Sequence, residues 1–380
     1  MDYTSLHAAY KETSLFGRYI TLEHIEPLLH KHPNAIVGYS VSNQPIYTIQ
    51  VGTGDTRILM WSQMHGNEST TTKAVFDFLA FLQADTALSQ SFLAHFTFYI
   101  LPMLNPDGAA LYTRENAAAV DLNRDAQNQS QPESQVLRQV YDSFKPHYCY
   151  NLHDQRTIFG VADTGKPATV SFLAPSYNEE RTINDVRVKA MNVIVAMADT
   201  LQHFIPNQIG RFDDSFNLNC VGDTFQFLGT PTILFEAGHY PQDYHREVTR
   251  KCIFIALVSG LSYLHENDIV DNKSEDYLKI PQNKVVFYDF VYKNVKVNYD
   301  NSEIIINFAA QFKEVLSQGK VDFEARIVQV DCQEHYFGHT VIDAAGQMYR
   351  DELGTMPVCD QLATFYLGDT LEIKNGMPVE

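Results

Sequence analysis

The sequence predicts an α/β fold: a mixed, mostly parallel sheet flanked by helices, followed by a small C-terminal β-rich domain. Three observations predict it. From Arg57 to about residue 270, apolar strand-like runs alternate with helical segments, the pattern of a sheet covered on both faces. Four of those runs end in clusters of chemically active side chains, as expected where ligands gather beyond the carboxyl ends of parallel strands. After about Asp271, alternating Val, Ile, Phe and Tyr replace the helical patterns. A chain of 380 residues, 45% hydrophobic, has room for two packed domains. They are placed at 1–270 and 275–380.

Taken in order, RILMWSQM is the first buried strand of the alternating region, and TTTKAVFDFLAFLQ an amphipathic helix with Val75, Phe76, Leu79 and Leu82 on one side. HFTFYILPML is a strand closed by the turn NPDG, Asn105 to Gly108. ESQVLRQVYDSF is a short helix, HYCYNLH a strand, and ERTINDVRVKAMNVIVAMADTLQHF a long helix. PTILFEAGHY is a further strand and REVTRKCIFIALVSGLSYLHEN a closing helix. Beyond it, NKVVFYDFVYKNVKVNYD, EIIINFAAQF, EARIVQVDC, HTVIDAAG and TLEIKNG read as strands joined at turns such as YDNSE and AAGQ. One or two helical turns are expected near Phe312 to Ser317. His335 and His339 read as exposed polar positions.

The charge excludes some functions. With 28 basic and 46 acidic residues, the net charge is −18 and no basic stripe appears. Nucleic acid and anionic membrane surfaces are therefore not expected partners. No basic stretch followed by an apolar core marks a signal peptide, and no apolar run is long enough for a membrane span. Five scattered cysteines, none in a CxxC pair, suggest neither a disulfide framework nor a zinc knuckle. Cys149 and Cys252 lie in apolar patterns and read as core. The expectation is a cytoplasmic protein, or the trimmed form of an exported one.

The strand ends carry the chemistry. They are His65-Gly66-Asn67-Glu68, then Asn105-Pro106-Asp107-Gly108 with Arg114 and DLNRD soon after, then Asn151-Leu152-His153-Asp154, and Glu236 in FEAGHY. Two histidines and a glutamate with one open position are a common catalytic zinc set. A tight HxxE turn brings His65 and Glu68 round one ion, Gly66 easing the bend, and His153 completes the set from a neighbouring strand. HxxE alone is a weak signal: a helix start capped by Asn67 or Ser69 has the same letters. A lone carboxylate such as Glu236 in so apolar a strand is costly without a partner, which favours function over structure. Arg124, flanked by Asp121 and Asp125, has a bland reading as a surface ion pair. Asn105 and Asp107 read as turn formers, and Asp154 as an acid that orients a ligand histidine.

In order, HGNE, NPDG, an Arg before LNRD, LH at a strand end and FE near the last strand resemble the zinc carboxypeptidases, the carboxypeptidase A-like metallopeptidases, over roughly residues 35–265. The resemblance implies one zinc per chain held by His65, Glu68 and His153. It implies Glu236 as general base, Arg114 as the group polarising the scissile carbonyl, and Asn123 and Arg124 as the clasp for the substrate's terminal carboxylate. A guanidinium meets a planar carboxylate with two parallel hydrogen bonds. The substrate would be a peptide or peptide-like chain. The alternative is an N-acyl amino acid, as in the aspartoacylase and succinylglutamate desuccinylase deacylases, which share a similar GNE motif. One departure stands out: the family's loop tyrosine has no counterpart in Gly210 to Phe227, and Tyr240 or Tyr177 would have to replace it. That loop instead holds Asp213, Asp214, Asn217, Asn219 and Asp223. They read either as an acidic surface or as a selector for a basic side chain or amino group, such as that of diaminopimelate in a cell-wall peptide.

Overall fold

A computed structural model describes residues 1–267, 272–300, 302–332, 335–352 and 354–379. The expected domain change at Asp271 and Asn301 of the YDNSE turn lie outside those residues. The chain forms two compact units, Met1–Gln155 with Ala168–Asn283, and Arg156–Pro167 with Lys284–Glu380. The short stretch 156–167, inside the span 1–270, is thus part of the second unit.

The first unit begins with α1 (Tyr3–Tyr10) and α2 (Leu22–Leu29), then strands β1 (Asn34–Tyr39), β2 (Pro45–Val51) and β3 (Thr56–Ser62). Next come α3 (Thr70–Gln83), α4 (Ala87–His95), β4 (Phe96–Leu101), α5 (Pro106–Leu111), α6 (Pro132–Phe144) and β5 (Tyr148–Asp154). After β6 (Phe159–Val161), which belongs to the second unit, follow β7 (Val170–Leu173), α7 (Asp185–Leu201), β8 (Ile209–Arg211), α8 (Val221–Phe227), β9 (Thr232–Ala237), α9 (Glu247–Glu266) and α10 (Ser274–Lys279). The eight strands form one sheet in the order β1-β2-β4-β3-β5-β9-β7-β8. Its centre, β4-β3-β5-β9, is parallel, and the turns to β2 and β7 are antiparallel.

The central strands are apolar at successive positions because both faces are covered. In β3, Ile58 and Met60 pack into one cluster with α3, α7 and α9 residues, while Leu59 and Trp61 join Leu137 and Phe225 on the opposite face. Helix α3 departs from its amphipathic expectation. Its apolar positions are buried, and so are Lys73 and Asp77. The polar side of the helix is satisfied by partners instead of water: Lys73 Nζ lies 2.6 Å from Glu247, and Arg250 grips Asp77 with two bonds of 2.6 and 2.7 Å. Cys149 and Cys252 are buried in the core. Among the described residues, no helix is long and apolar enough to cross a membrane.

Two local expectations change. NPDG is the start of helix α5: the Asn105 side chain accepts from Gly108 N at 2.8 Å, and Pro106 occupies the first turn. Asp107 accepts from Ser40 Oγ and Ser42 N and so ties down the β1–β2 turn.

The second unit is built on β6, β10 (Asn283–Val285) and two four-stranded sheets. The first comprises β11 (Phe287–Tyr299), β12 (Ser302–Ser317), β13 (Lys320–Val330) and β14 (Phe337–Asp343). The second comprises β15 (Tyr349–Arg350), β16 (Phe365–Leu367), β17 (Leu371–Lys374) and β18 (Met377–Pro378). Phe312 to Ser317 is strand, not helix. It pairs with β13 down to Ser317↔Lys320 across a turn where Gln318 and Gly319 both have positive φ, the two-residue hairpin geometry that fixes register. His339 is half-buried, stacked on Phe287 and bonded to Thr157 O at 2.8 Å, whereas His335 is exposed.

Candidate metal and active site

The strand β3 ends at Ser62, and the turn that follows is held from several sides. Gln63 has positive φ (48°) and is fully buried. Its Nε2 donates to Ile20 O at 2.7 Å and to Gly66 O at 2.9 Å. Asn105 Nδ2 donates to Met64 O, and Glu68 N to His65 O. Gly66 answers a close approach: a Cβ there would lie 1.9 Å from the Gly108 carbonyl carbon. The turn thus sets His65 and Glu68 facing the same point.

From β5, beside β3 in the sheet, His153 faces that point too. Its Nδ1 lies 2.8 Å from Glu68 Oε2 and 3.1 Å from His65 Nδ1. His65 Nδ1 is 2.8 Å from Glu68 Oε1. Among the described residues these three form the group able to hold a metal, their donor atoms all within 4.8 Å of one another. Both rings are buried. His65 Nε2 lies 3.1 Å from Asp121 Oδ1. When neutral His65 donates its Nε2–H to Asp121, its Nδ1 lone pair meets a carboxylate oxygen, acceptor against acceptor. Only a proton or a cation between them relieves that clash, and the donor set of two imidazoles and a carboxylate is one zinc accepts. Burial disfavours the Glu68 anion, but the two imidazoles hold its carboxyl well below the usual range.

The remaining expected residues gather around this trio to different degrees. Arg114 donates from Nε to Asp121 Oδ2 at 3.0 Å and reaches Glu68 Oε1 at 3.4 Å, with its side chain 42% exposed. The short gap to Asn123 is bridged by a tight loop. Asn116 Oδ1 accepts from Ala118 N and Val120 N, and its Nδ2 reaches Glu133. Glu236 is half-buried in β9, in register with His153 on β5. Burial, then the negative charges of Glu68 and Asp154, push its carboxyl well above the usual range. Asn123 Oδ1 accepts from Val221 N at the start of α8. Arg124 is exposed. It touches Asn123 O and Cys220 Sγ, while Asp121 is committed to His65 and Arg114, and Asp125 to Ser130 and Gln131. Neither flanking acid neutralises it.

Asp154 does not orient a histidine. Its carboxylate accepts from Thr70 N and Thr71 N at the start of α3, and Asp121 does the orienting. Sequence reading passed over Asp121 as a neighbour of Arg124. Of the acidic loop, Asp214 is bound by Arg181 and Arg187 and Asp213 by Ser215. Asp223 is buried on α8, where burial pushes its carboxyl up to about 7.

Residues 22–197 match the family model described as zinc carboxypeptidase. Over that span, just under half of the chain, the sequence is similar to the zinc carboxypeptidases. The matched span includes the candidate trio His65, Glu68 and His153, as well as Arg114, Asn123 and Arg124, while Glu236 lies beyond it. Carboxypeptidase 2 of Trichophyton rubrum is 26% identical over 100 residues, which are 26% of this chain and 19% of that protein. The match thus spans about a fifth of that relative's length. Among solved structures, the chain is similar in fold to a metallo-carboxypeptidase from Pseudomonas aeruginosa in complex with (2-guanidinoethylmercapto)succinic acid. The TM-score is 0.52 at 15% identity, over 65% of this chain and 70% of that one. It is also similar to the carboxypeptidase A from Helicoverpa armigera, with TM-score 0.50 at 16% identity, over 68% and 80% of the two chains. At these identities the two carboxypeptidase structures speak to the fold alone.

Proposed function

We propose that the protein is a zinc-dependent carboxypeptidase that hydrolyses the C-terminal amide bond of peptides or peptide-like substrates. The observation that carries this reading is the buried convergence of His65, Glu68 and His153 beside a half-exposed Arg114. One zinc per chain would be held by that trio, supplying an acidified water and a positive charge near the carbonyl. The chain's own groups do the rest. Glu236 in its ionised form takes a proton from the attacking water and returns it to the leaving amine, and burial beside Glu68 and Asp154 raises its affinity for that proton. Arg114 faces the oxygen that gains negative charge. Arg124, exposed and without a carboxylate partner among the described residues, clasps the substrate's free terminus with Asn123 beside it. The five free cysteines suit the proposed cytoplasmic setting.

The test is zinc content by elemental analysis for wild type and His65→Ala, with hydrolysis of peptides bearing free or amidated C-termini. About one zinc per chain, lost in the variant, with cleavage of free termini only, is the expected result. Equal cleavage of amidated peptides would remove the roles of Asn123 and Arg124. Turnover of acyl amino acids but not of peptides would favour the deacylase. Asp223 supports a preference for a basic side chain or amino group, as a cell-wall peptide would offer. Its carboxyl ionises near pH 7, so selection of lysine over leucine at the C-terminus should rise between pH 6 and 8. The gain is at most roughly tenfold, the change in ionised fraction. A ratio that stays flat in wild type, or one that rises equally in Asp223→Asn, excludes that role.

A further inference from the structure

The first unit is not continuous in sequence. The chain leaves it after Gln155, returns at Ala168 and leaves again after Asn283. Inside the unit those three points meet around one side chain. Gln155 is buried. Its Nε2 donates to Ala168 O at 2.6 Å and to Ser171 Oγ at 3.0 Å. Its Oε1 accepts from Asn283 Nδ2 at 2.9 Å, and that same amide donates to Ser171 Oγ at 2.9 Å. A primary amide carries donor and acceptor on one planar head, so one residue can hold a carbonyl and a second amide together. Two glycines clear the space. A Cβ on Gly238 would come within 2.1 Å of Ala168 O and 2.5 Å of Gln155 Nε2, and one on Gly210 within 1.8 Å of Asn283 Oδ1.

This knot adjoins the metal-binding trio. Strand β9 pairs Glu236 with His153 of β5 on one side and with Ser171 of β7 on the other. His153, Glu236 and Ser171 therefore form one row across three strands. Gln155 lies two residues beyond His153, on the same face by strand alternation. Its backbone is fixed as well: its N–H donates to Ala237 O at 2.9 Å, and its carbonyl accepts from Arg246 Nη2 at 2.6 Å. The segment that starts at the next residue is held in the second unit, where Ile158 O accepts from Val286 N and Phe287 N, and Thr157 O from His339.

We infer that Gln155 is a positioning residue whose side-chain amide locks the carboxyl end of β5, and with it the His153 ring, where the chain departs for the second unit. The inference rests on the metal reading given above. Without the amide, the end of β5 keeps only its backbone ties to Ala237 and Arg246, and the ring's bearing on Glu68 and His65 loosens. Groups that orient metal ligands typically cost 10–100-fold in metal affinity when removed.

The test uses the full chain, wild type, Gln155→Ala and the milder Asn283→Ala, which removes one tie and leaves Gln155 in place. Zinc affinity is measured by competition with a chromophoric chelator, and amide hydrogen exchange is followed on metal-free protein. The expected result is a loss of about tenfold or more in zinc affinity for Gln155→Ala and a smaller loss for Asn283→Ala. Faster exchange at residues 152–155 and 168–171 should accompany it, with the circular dichroism spectrum kept. Should Gln155→Ala fail to fold, Asn283→Ala decides by the same readouts. Affinities within twofold of wild type, with exchange unchanged, overturn the proposal. If wild type takes up no zinc, the metal reading fails by itself, and the exchange comparison still decides whether the amide locks β5.

Discussion

Asp121 touches two groups of different character. One oxygen faces His65 Nε2 and the other accepts from Arg114 Nε. Partial burial opposes its charge, but the His65 bond and the Arg114 guanidinium hold its carboxyl well below the usual carboxylate range. It therefore remains an acceptor at any working pH and keeps the His65 lone pair turned toward Glu68. Asp121→Ala should lower zinc affinity about 10–100-fold, with the secondary structure kept. An unchanged chelator-competition constant would show that the Gln63-braced turn alone aims His65. At this scale, residues that stand at strand ends were legible in the sequence, because fold geometry delivers strand ends to one place. His65, Glu68 and His153 were readable for that reason, and they converge as expected. Asp121 was not, since it acts from an irregular loop whose path depends on Asn116, Gln131 and Glu133. No periodicity records such a path.

Among the elements, α3 links the site to the core. It starts one residue after Glu68's neighbour Ser69, and its first free N–H groups are capped from another strand, by Asp154 of β5. One carboxylate thus satisfies two orphan donors and ties the helix to the strand carrying His153. Asp154→Ala should cost about 0.5–2 kcal/mol, the usual loss for a removed cap, read as a lower urea midpoint at unchanged slope. A midpoint equal to wild type would mean that water replaces the carboxylate freely. The helix span itself was legible from its apolar spacing. Its buried polar side was not, because Lys73 and Asp77 are matched by Glu247 and Arg250, more than 170 residues away. The same holds for Phe312 to Ser317 in β12, where pairing with β13 overrides a local helical preference. NPDG was misread for a different reason: a capped helix start and a turn use the same residue types.

On the scale of the molecule, one buried cation gathers distant parts of the first unit. Arg250, fully buried on α9, grips Asp77 of α3 and donates to the carbonyls of Glu12 and Leu15 near the N-terminus. His7 meets the same Asp77 at 3.1 Å. A buried pair of this kind contributes modestly as a whole, yet removing one partner strands the other. Arg250→Ala should destabilise the first unit by about 3–5 kcal/mol, a large part of the 5–15 kcal/mol typical of a domain. Calorimetry that shows a loss under 1 kcal/mol would mean that the Asp77 charge finds water or another cation. The broad architecture was legible, since alternation of strand and helix patterns gives way to strands alone. That the stretch 156–167 belongs with the later strands was not, because a three-residue strand such as β6 has too few positions to show a period.

That division of the chain has a consequence for synthesis. Residues 156–167 leave the ribosome early, yet the residues that receive Ile158 O, Val286 and Phe287, follow more than 120 positions later. At common elongation rates of about 5–20 residues per second, the nascent stretch waits roughly 6–25 s for them. During that interval β7, β8 and β9 are synthesised while β6 still lacks β10, its strand partner.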